Sequence, residues 1–300
     1  MKTVCVLLSV YNGEKYLDQQ INSILNQEKV KVVLIARNDG STDTSIKILN
    51  KYCDSITILD DVNIGIQNSF SQLLAYGLNI ECDYYAFADQ DDFWKSEKLH
   101  VATELLDKTN QGKPAVYFSN LEYTDVRLNS AGYVFNDKLS ISRRNSLVRN
   151  YAYGCTQVFN KRAAEIYCKG IGKRMWMHDY WLYLIAVFMG DYIYDDVPHI
   201  LYRQHGCNNV GYHISLKKKI KNKFKSLALL KESPRIDMAT DFKECYWMNL
   251  NEDSIEILNE FILCRYSLVK RVQALLTDEY FNLGALDNFI LRIRFILGAV

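Results

Sequence analysis

The sequence predicts an α/β fold with a doubly wound, mainly parallel sheet and a C-terminal helical extension. Three observations predict it. Short, almost wholly apolar, β-rich runs recur through the first third of the chain. Segments with apolar residues at helical spacing separate them. Polar turn residues close the runs. Continuous apolar runs are what strands buried on both faces look like, and strands alternating with helices imply right-handed parallel crossovers.

The elements follow in order. "VCVLLSV" is the first strand, broken by Asn12 and Gly13, and Leu17, Ile21, Ile24 and Leu25 then recur at helical spacing. "VKVVLIARN" is the second strand, ended by "DGSTD", where Ser41 or Thr42 is expected to cap a helix carrying Ile46 and Leu49. "SITILD" is the third, and "NIG" leads into a helix with Phe70, Leu73 and Leu74 inward. "YYAFA" is the fourth, followed by a helix bearing Leu99, Ala102, Leu105 and Leu106, with Ser96 as its expected cap. Later strands are expected near "AVYFSNLEY", "GCTQVFN" and "DYIYDDV", with one strongly apolar helix before the last, and only helices after that. This gives three expected units: 1–110, 111–212 and 213–300.

Composition narrows the class. The 300 residues are 49% hydrophobic and 24% charged, which suits a globular chain with a sizeable core. Basic and acidic counts are 36 and 35, so no chain-wide attraction to nucleic acid is expected. None of the eight cysteines forms a CxxC, and the reading is reduced, mostly buried thiols in a cytoplasmic protein. The start of the chain has no small-residue cleavage site, so no signal peptide is expected. No stretch reaches the roughly 18 apolar residues of a membrane span. "YWLYLIAVFMG" is shorter, is bracketed by Asp179 and Asp191, and reads as a buried helix.

In an open parallel sheet, ligands sit beyond the carboxyl ends of the strands. That crevice collects Tyr11 and Asn12 after the first strand, Asp39 after the second, and Asp89, Asp91 and Asp92 after the fourth. No GxGxxG follows the first strand and no phosphate-cradling P-loop occurs, so a bound diphosphate would need a cation or basic side chains. Clustered carboxylates at a buried strand end repel one another. Mg²⁺ or Mn²⁺, which prefer carboxylate oxygens, would offset this. The plainer reading of "DQDD" is a polar turn capping the next helix.

The ordered motifs "SVYNGEKYL", "NDGSTDTS", "NIG", "DQDDFW", "MHDYW" and "LYRQHGCNNVG" resemble those of GT-A fold, family 2 glycosyltransferases, in particular the bacterial rhamnosyltransferase-like branch. They run from about residue 4 to 211 and leave the C-terminal block without an inherited role. The resemblance implies that Asp39 accepts the imide N–H of uracil or thymine. It implies that Ser9, Tyr11 and Glu14, with Asn12, surround base and ribose. Asp89 would face the ribose or a metal-bound water, and Asp91 would hold the metal bridging the diphosphate. For Asp92 the plain reading is a structural hydrogen bond to the helix that follows.

In "MHDYW" the family's usual Glu–Asp pair is replaced by His178–Asp179. The resemblance gives the catalytic base to Asp179, with His178 as the alternative base or a packed histidine. Arg203, with Gln204 beside it, suits phosphate oxygens, and His205 is either a Mn²⁺ ligand or an ordinary core or surface residue. Gly154, Cys155, Thr156 and Trp181 would line the acceptor side, although a buried Trp is equally a core residue.

The expected protein is therefore an inverting, metal-dependent transferase. It would move a sugar from a dTDP or UDP donor onto a hydroxyl of a surface polysaccharide precursor. A glycosidase would leave Asp39 and the acidic triplet unexplained. A non-catalytic scaffold partner of the same fold is the alternative. Residues 214–231 hold seven lysines and no acid, with Leu216, Ile220, Phe224, Leu227 and Leu230 near one helical face. Such a segment suits either the anionic inner face of a membrane, convenient for a lipid-linked acceptor, or packing on the catalytic lobe.

Overall fold

A computed structural model describes residues 1–170, 176–204, 233–282 and 284–300. Its centre is a seven-stranded sheet in the order β10-β6-β9-β4-β1-β2-β3. The strands are β1 (Lys2–Val10), β2 (Val30–Asp39), β3 (Thr57–Asp61), β4 (Tyr84–Ala88), β6 (Ala115–Ser119), β9 (Val158–Asn160) and β10 (Asp191–Asp195). β1 pairs parallel with β2 and β4, β2 with β3, and β6 with β10. β9 alone in this sheet runs antiparallel, between β4 and β6. A smaller sheet joins β5 (Phe93–Trp94), β11 (Ile200–Arg203), β7 (Glu122–Thr124) and β8 (Ser130–Tyr133).

Period-2 alternation along β1 divides the core. Cys5 and Leu7 face one side, with Phe70, Leu73 and Leu74 of α3 (Ile66–Gly77). Val4, Val6 and Leu8 face the other, with α1 (Leu17–Leu25) and α4 (Lys98–Leu106). Both expected caps are corrected. The N-cap of α2 (Ser45–Asn50) is Thr44, and its free backbone N–H groups are met by the carboxylates of Glu14 and Asp43, not by Ser41 or Thr42. The N-cap of α4 is Glu97, not Ser96.

After α5 (Arg143–Ser146) and α6 (Lys161–Lys169) comes α7 (His178–Met189), apolar on all sides because it is covered on all sides. The sheet lies on one side of it. The C-terminal helices α8 (Pro234–Tyr246), α9 (Glu252–Leu263), α10 (Leu268–Leu276) and α11 (Ala285–Leu297) complete the same core. Trp181 is fully buried there, its indole N–H donating to Tyr246 Oη at 2.9 Å and its ring 5.4 Å from Phe242. No described helix is long and apolar enough to cross a membrane. The seven described cysteines are free thiols. Residues 214–231 and His205 lie outside the described residues.

Candidate active site

The carboxyl ends of β1, β2 and β4 open into a cavity of about 730 Å³. Its wall includes Ser9, Tyr11, Asn12, Asp39, Asp89, Asp91, Gly154, Cys155, His178 and Asp179. Residues far apart in sequence meet here because parallel strands end on one side of the sheet.

Two loops floor one side of the cavity. Asn12 takes a left-handed backbone (φ 52°), which Asn tolerates, and its Oδ1 accepts from the Thr42 N–H at 2.8 Å. Asn12 N–H donates to Ser41 Oγ at 3.0 Å, and Gly13 N–H donates to Ser45 Oγ at 2.8 Å. Gly40 also has positive φ (69°), and a Cβ there would lie 2.6 Å from Asn63 N. Asp39 is buried in this crossing. Its oxygens accept from the N–H groups of Ile64 (2.9 Å) and Gly65 (3.1 Å), and it pairs with Arg37. The "NIG" loop is thereby pinned to the end of β2. Ser9 Oγ lies 2.6 Å from Ser69 Oγ. Glu14 does not line the cavity; its Oε2 accepts from Thr44 N–H and Oγ1, which hold its carboxyl below the usual range.

The acidic turn is the electrostatic centre. Burial, then Asp91 and then Asp179, push Asp89 up to about 7. Asp92 is fully buried and raised well above the usual range by burial, Asp91 and Asp89. Neither of its oxygens bonds to the following helix, so the expected bond there does not form; the Cys155 thiol and the Arg203 backbone, both directed at it, only partly oppose its desolvation. Ligand atoms of Asp89, Asp92 and Cys155 lie within 4.8 Å of one another, and burial with both acids pushes the Cys155 thiol up. Hard carboxylates this close together fit a hard divalent cation. The thiol is the one donor here that such an ion does not favour.

Across the cavity, Asp179 sits in the first turn of α7. Its Oδ2 accepts from Asn150 Nδ2 (3.0 Å) and Gly154 N–H (3.2 Å), and its Oδ1 from Tyr180 N–H (2.7 Å). Burial raises it to about 6 against these three donors. That suits a group ionised at neutral pH yet basic enough to take a proton. His178 is nine-tenths buried or more, stacked 3.9 Å from Phe70, with no partner at either ring nitrogen, and burial lowers it to about 3. It is a neutral aromatic wall. A Cβ on Gly154 would lie 2.9 Å from His178 Nε2 and 3.3 Å from Asp179 Cβ, so the short helix Gly154–Thr156 packs against the acid only with glycine there.

Other expected residues lie elsewhere. Arg203 is buried and does not line the cavity. Its guanidinium donates to the carbonyls of Asp91 (3.0 Å) and Val126 (2.7 Å) and to Gln19 Oε1 (2.6 Å), stacking on Tyr16. It braces the acidic turn from behind, through these three bonds. Gln204, next to it, donates its backbone N–H to the Thr124 carbonyl and is also off the wall. Thr156 is buried, with its hydroxyl donating to the Tyr153 carbonyl. Trp181 belongs to the core, since α7 turns it toward α8 and away from the cavity. Phe70 and Tyr153 line the site and Asn150 holds Asp179, yet no motif announces them; Tyr202 also lines it, from within "LYRQHGCNNVG", where only Arg203, Gln204 and His205 have an expected role.

This mainly parallel sheet, with its carboxylate-walled cavity at the strand ends, is of the GT-A type. Residues 5–165 match the family model "Glycosyl transferase family 2", and the chain belongs to that family. It is 30% identical over 230 residues to the dTDP-rhamnosyl transferase RfbG of Shigella flexneri, covering 71% of this chain and 77% of that protein. It is 27% identical over 219 residues to an uncharacterized glycosyltransferase of Rickettsia typhi, covering 69% and 66%. The crystal structure of S. aureus TarS 1–349 shares the fold, with a TM-score of 0.53 at 15% identity over 100% of this chain and 81% of that one. The same TarS fragment in complex with UDP-GlcNAc gives 0.53 at 14% identity, covering 98% and 90%.

Proposed function

We propose that the chain is an inverting glycosyltransferase using a nucleoside-diphosphate sugar, either dTDP-rhamnose or a UDP-hexose. The acceptor is a hydroxyl of a surface polysaccharide precursor, carried on a lipid or free. The observation that carries the mechanism is Asp179: a carboxylate raised to about 6, held by three donors, on the wall opposite the acidic turn. Ser9, Tyr11, Asn12 and Asp39 form the base and ribose side of that cavity, with Asp89 beside them. Asp39 presents a carboxylate acceptor to an imide N–H, a feature uracil and thymine share. The name of the Shigella relative supports the dTDP option.

Mn²⁺ or Mg²⁺, held by Asp91 with Asp89, would supply charge neutralisation at the departing diphosphate. Asp179 takes the acceptor proton as the hydroxyl attacks the anomeric carbon on the face opposite the nucleotide. One base and one displacement invert the configuration. General-base assistance of this kind contributes about 10²–10⁴-fold. Nucleotide release from dTDP-rhamnose and from UDP-sugars, with Mn²⁺ and with excess EDTA, tests the proposal. Turnover of either donor that EDTA abolishes is expected; undiminished turnover in EDTA removes the metal, and no release from any donor removes the donor assignment.

A further inference from the structure

The chain has four tryptophans, and Trp94 and Trp181 are buried. Trp247 is half-exposed but belongs to the C-terminal helices, where it lines a separate cavity with Ile255 and Lys270. Trp176 is 44% exposed and stands beside the chemistry. It lies three residues before Asp179 and next to Met177, which lines the active-site cavity. Three residues span about 10 Å at full extension, so Trp176 sits at the rim of the wall that carries the base.

The ring is held in place from within. The Arg235 guanidinium, from the first turn of α8, lies over it at 5.6 Å from its centre. The Tyr180 ring, one turn further along α7, lies 6.3 Å away at 38°. Tyr180 is itself fixed, because its hydroxyl donates to the Ser146 carbonyl at 2.7 Å. A cation over an aromatic face is attracted by the ring quadrupole, so Arg235 occupies one side of the indole. The remainder is left to water, although burying an aromatic ring is among the largest apolar gains open to a fold. An aromatic plane steadied on one side and bare on the other suits a ligand with an apolar face and a polar edge. A pyranose is such a ligand: its C–H bonds form the face and its hydroxyls the edge.

We infer that Trp176 is the platform for the acceptor sugar: the pyranose that offers its hydroxyl to Asp179 stacks on the indole side that Arg235 leaves free. This rests on the proposed role of Asp179 as base. Trp176 takes the part expected of Trp181, which the core has claimed. The platform selects acceptors by shape. A pyranose with an unbroken C–H face lies flat on the ring, whereas an axial hydroxyl on that face holds it off.

The test starts from the full chain carrying Trp247→Phe, which leaves Trp176 as its one exposed tryptophan. The methyl glycosides of glucose, galactose, N-acetylglucosamine and rhamnose are titrated in the presence of Mn²⁺ with UDP or dTDP. At least one glycoside is expected to shift the indole emission to the blue and shield it from iodide; if none does, the inference is overturned. Calorimetry with that glycoside gives the second readout. Trp176→Ala should weaken its binding about tenfold, and Trp176→Phe, which keeps an aromatic face, should restore it to within about threefold. Unchanged glycoside affinity in Trp176→Ala overturns the platform. So does an equal loss of nucleotide affinity in both variants, which would make the ring a structural part of the fold. If a glycoside shifts the emission while the chain releases nucleotide from no donor, the sugar platform is supported and the transfer reading is what fails.

Discussion

Replacing Asp179 with Asn separates chemistry from architecture. Asn keeps the shape and one acceptor oxygen but cannot take a proton. Raising Asp179 from 3.8 to about 6 means the fold disfavours its ionised form by about 3 kcal/mol at neutral pH. Because the folded value lies above the unfolded one, that penalty is absent below about pH 4 and complete above about pH 6. Asn removes it. In exchange, its NH₂ faces a donor that the carboxylate had accepted, Tyr180 N–H or the pair from Asn150 and Gly154, which costs about 1–3 kcal/mol. The two nearly cancel, so Tm should move little. Turnover should fall by about 10²–10⁴-fold in kcat, with KM for the donor nearly unchanged. The wild-type rate should also lose about tenfold between pH 7 and pH 5 as the acid titrates near 6, and the variant should not. The assay is nucleotide release at saturating donor across that range, beside a thermal melt. Turnover of Asp179→Asn within a few-fold of wild type would refute the assignment, whatever the melt shows.

Four further outcomes are expected. His178→Phe should retain transfer; since His178 titrates at about 3 when folded and 6.5 when unfolded, wild-type stability should fall as pH drops between those values, and the variant should lose that slope of about 1 kcal/mol per pH unit in acid melts. Gly154→Ala should displace His178 or Asp179 and cost about 10²-fold in kcat, measured by nucleotide release, with a smaller effect on Tm. Asp91→Ala should abolish Mn²⁺-dependent release and leave the melt intact. Trp181→Ala should destabilise by about 3–5 kcal/mol in denaturant titrations, with KM for the acceptor unchanged in whatever protein remains folded, because the indole is core.

Much of the donor half was legible because its signals are local. Apolar runs gave the strands, and Leu17, Phe70 and Leu73 face the core as their spacing implies. Strand-end logic gathered Tyr11, Asn12, Asp39, Asp89 and Asp91 toward one cavity, and the family resemblance added Asp179. The misses are non-local. The cap at α2 was misplaced because Glu14, from another loop, does the work that Ser41 or Thr42 was expected to do, and at α4 the Leu99 N–H goes to Gln27, just past the C-terminal end of α1, rather than to Ser96. Trp181 and Arg203 carry residue types that suit a sugar or a phosphate, yet Tyr246 and the Asp91 carbonyl claim them first. Asn150 shows its purpose only once Asp179 is placed beside it.

The reversed strand β9 has a mechanical consequence. By running antiparallel between β4 and β6, it brings its amino end, the Gly154–Thr156 turn, beside the carboxyl end of the strand that carries Asp89. The turn whose Gly154 N–H holds Asp179 and the floor bearing the acids are therefore joined by a backbone ladder rather than by a hinge. Two lobes laced through one sheet cannot swing shut over a substrate as hinged kinases do. Whatever shields the anomeric carbon from water during transfer must come from loops and side chains at the cavity mouth, so exchanging those loops should alter acceptor choice while the spacing between acid and base stays fixed.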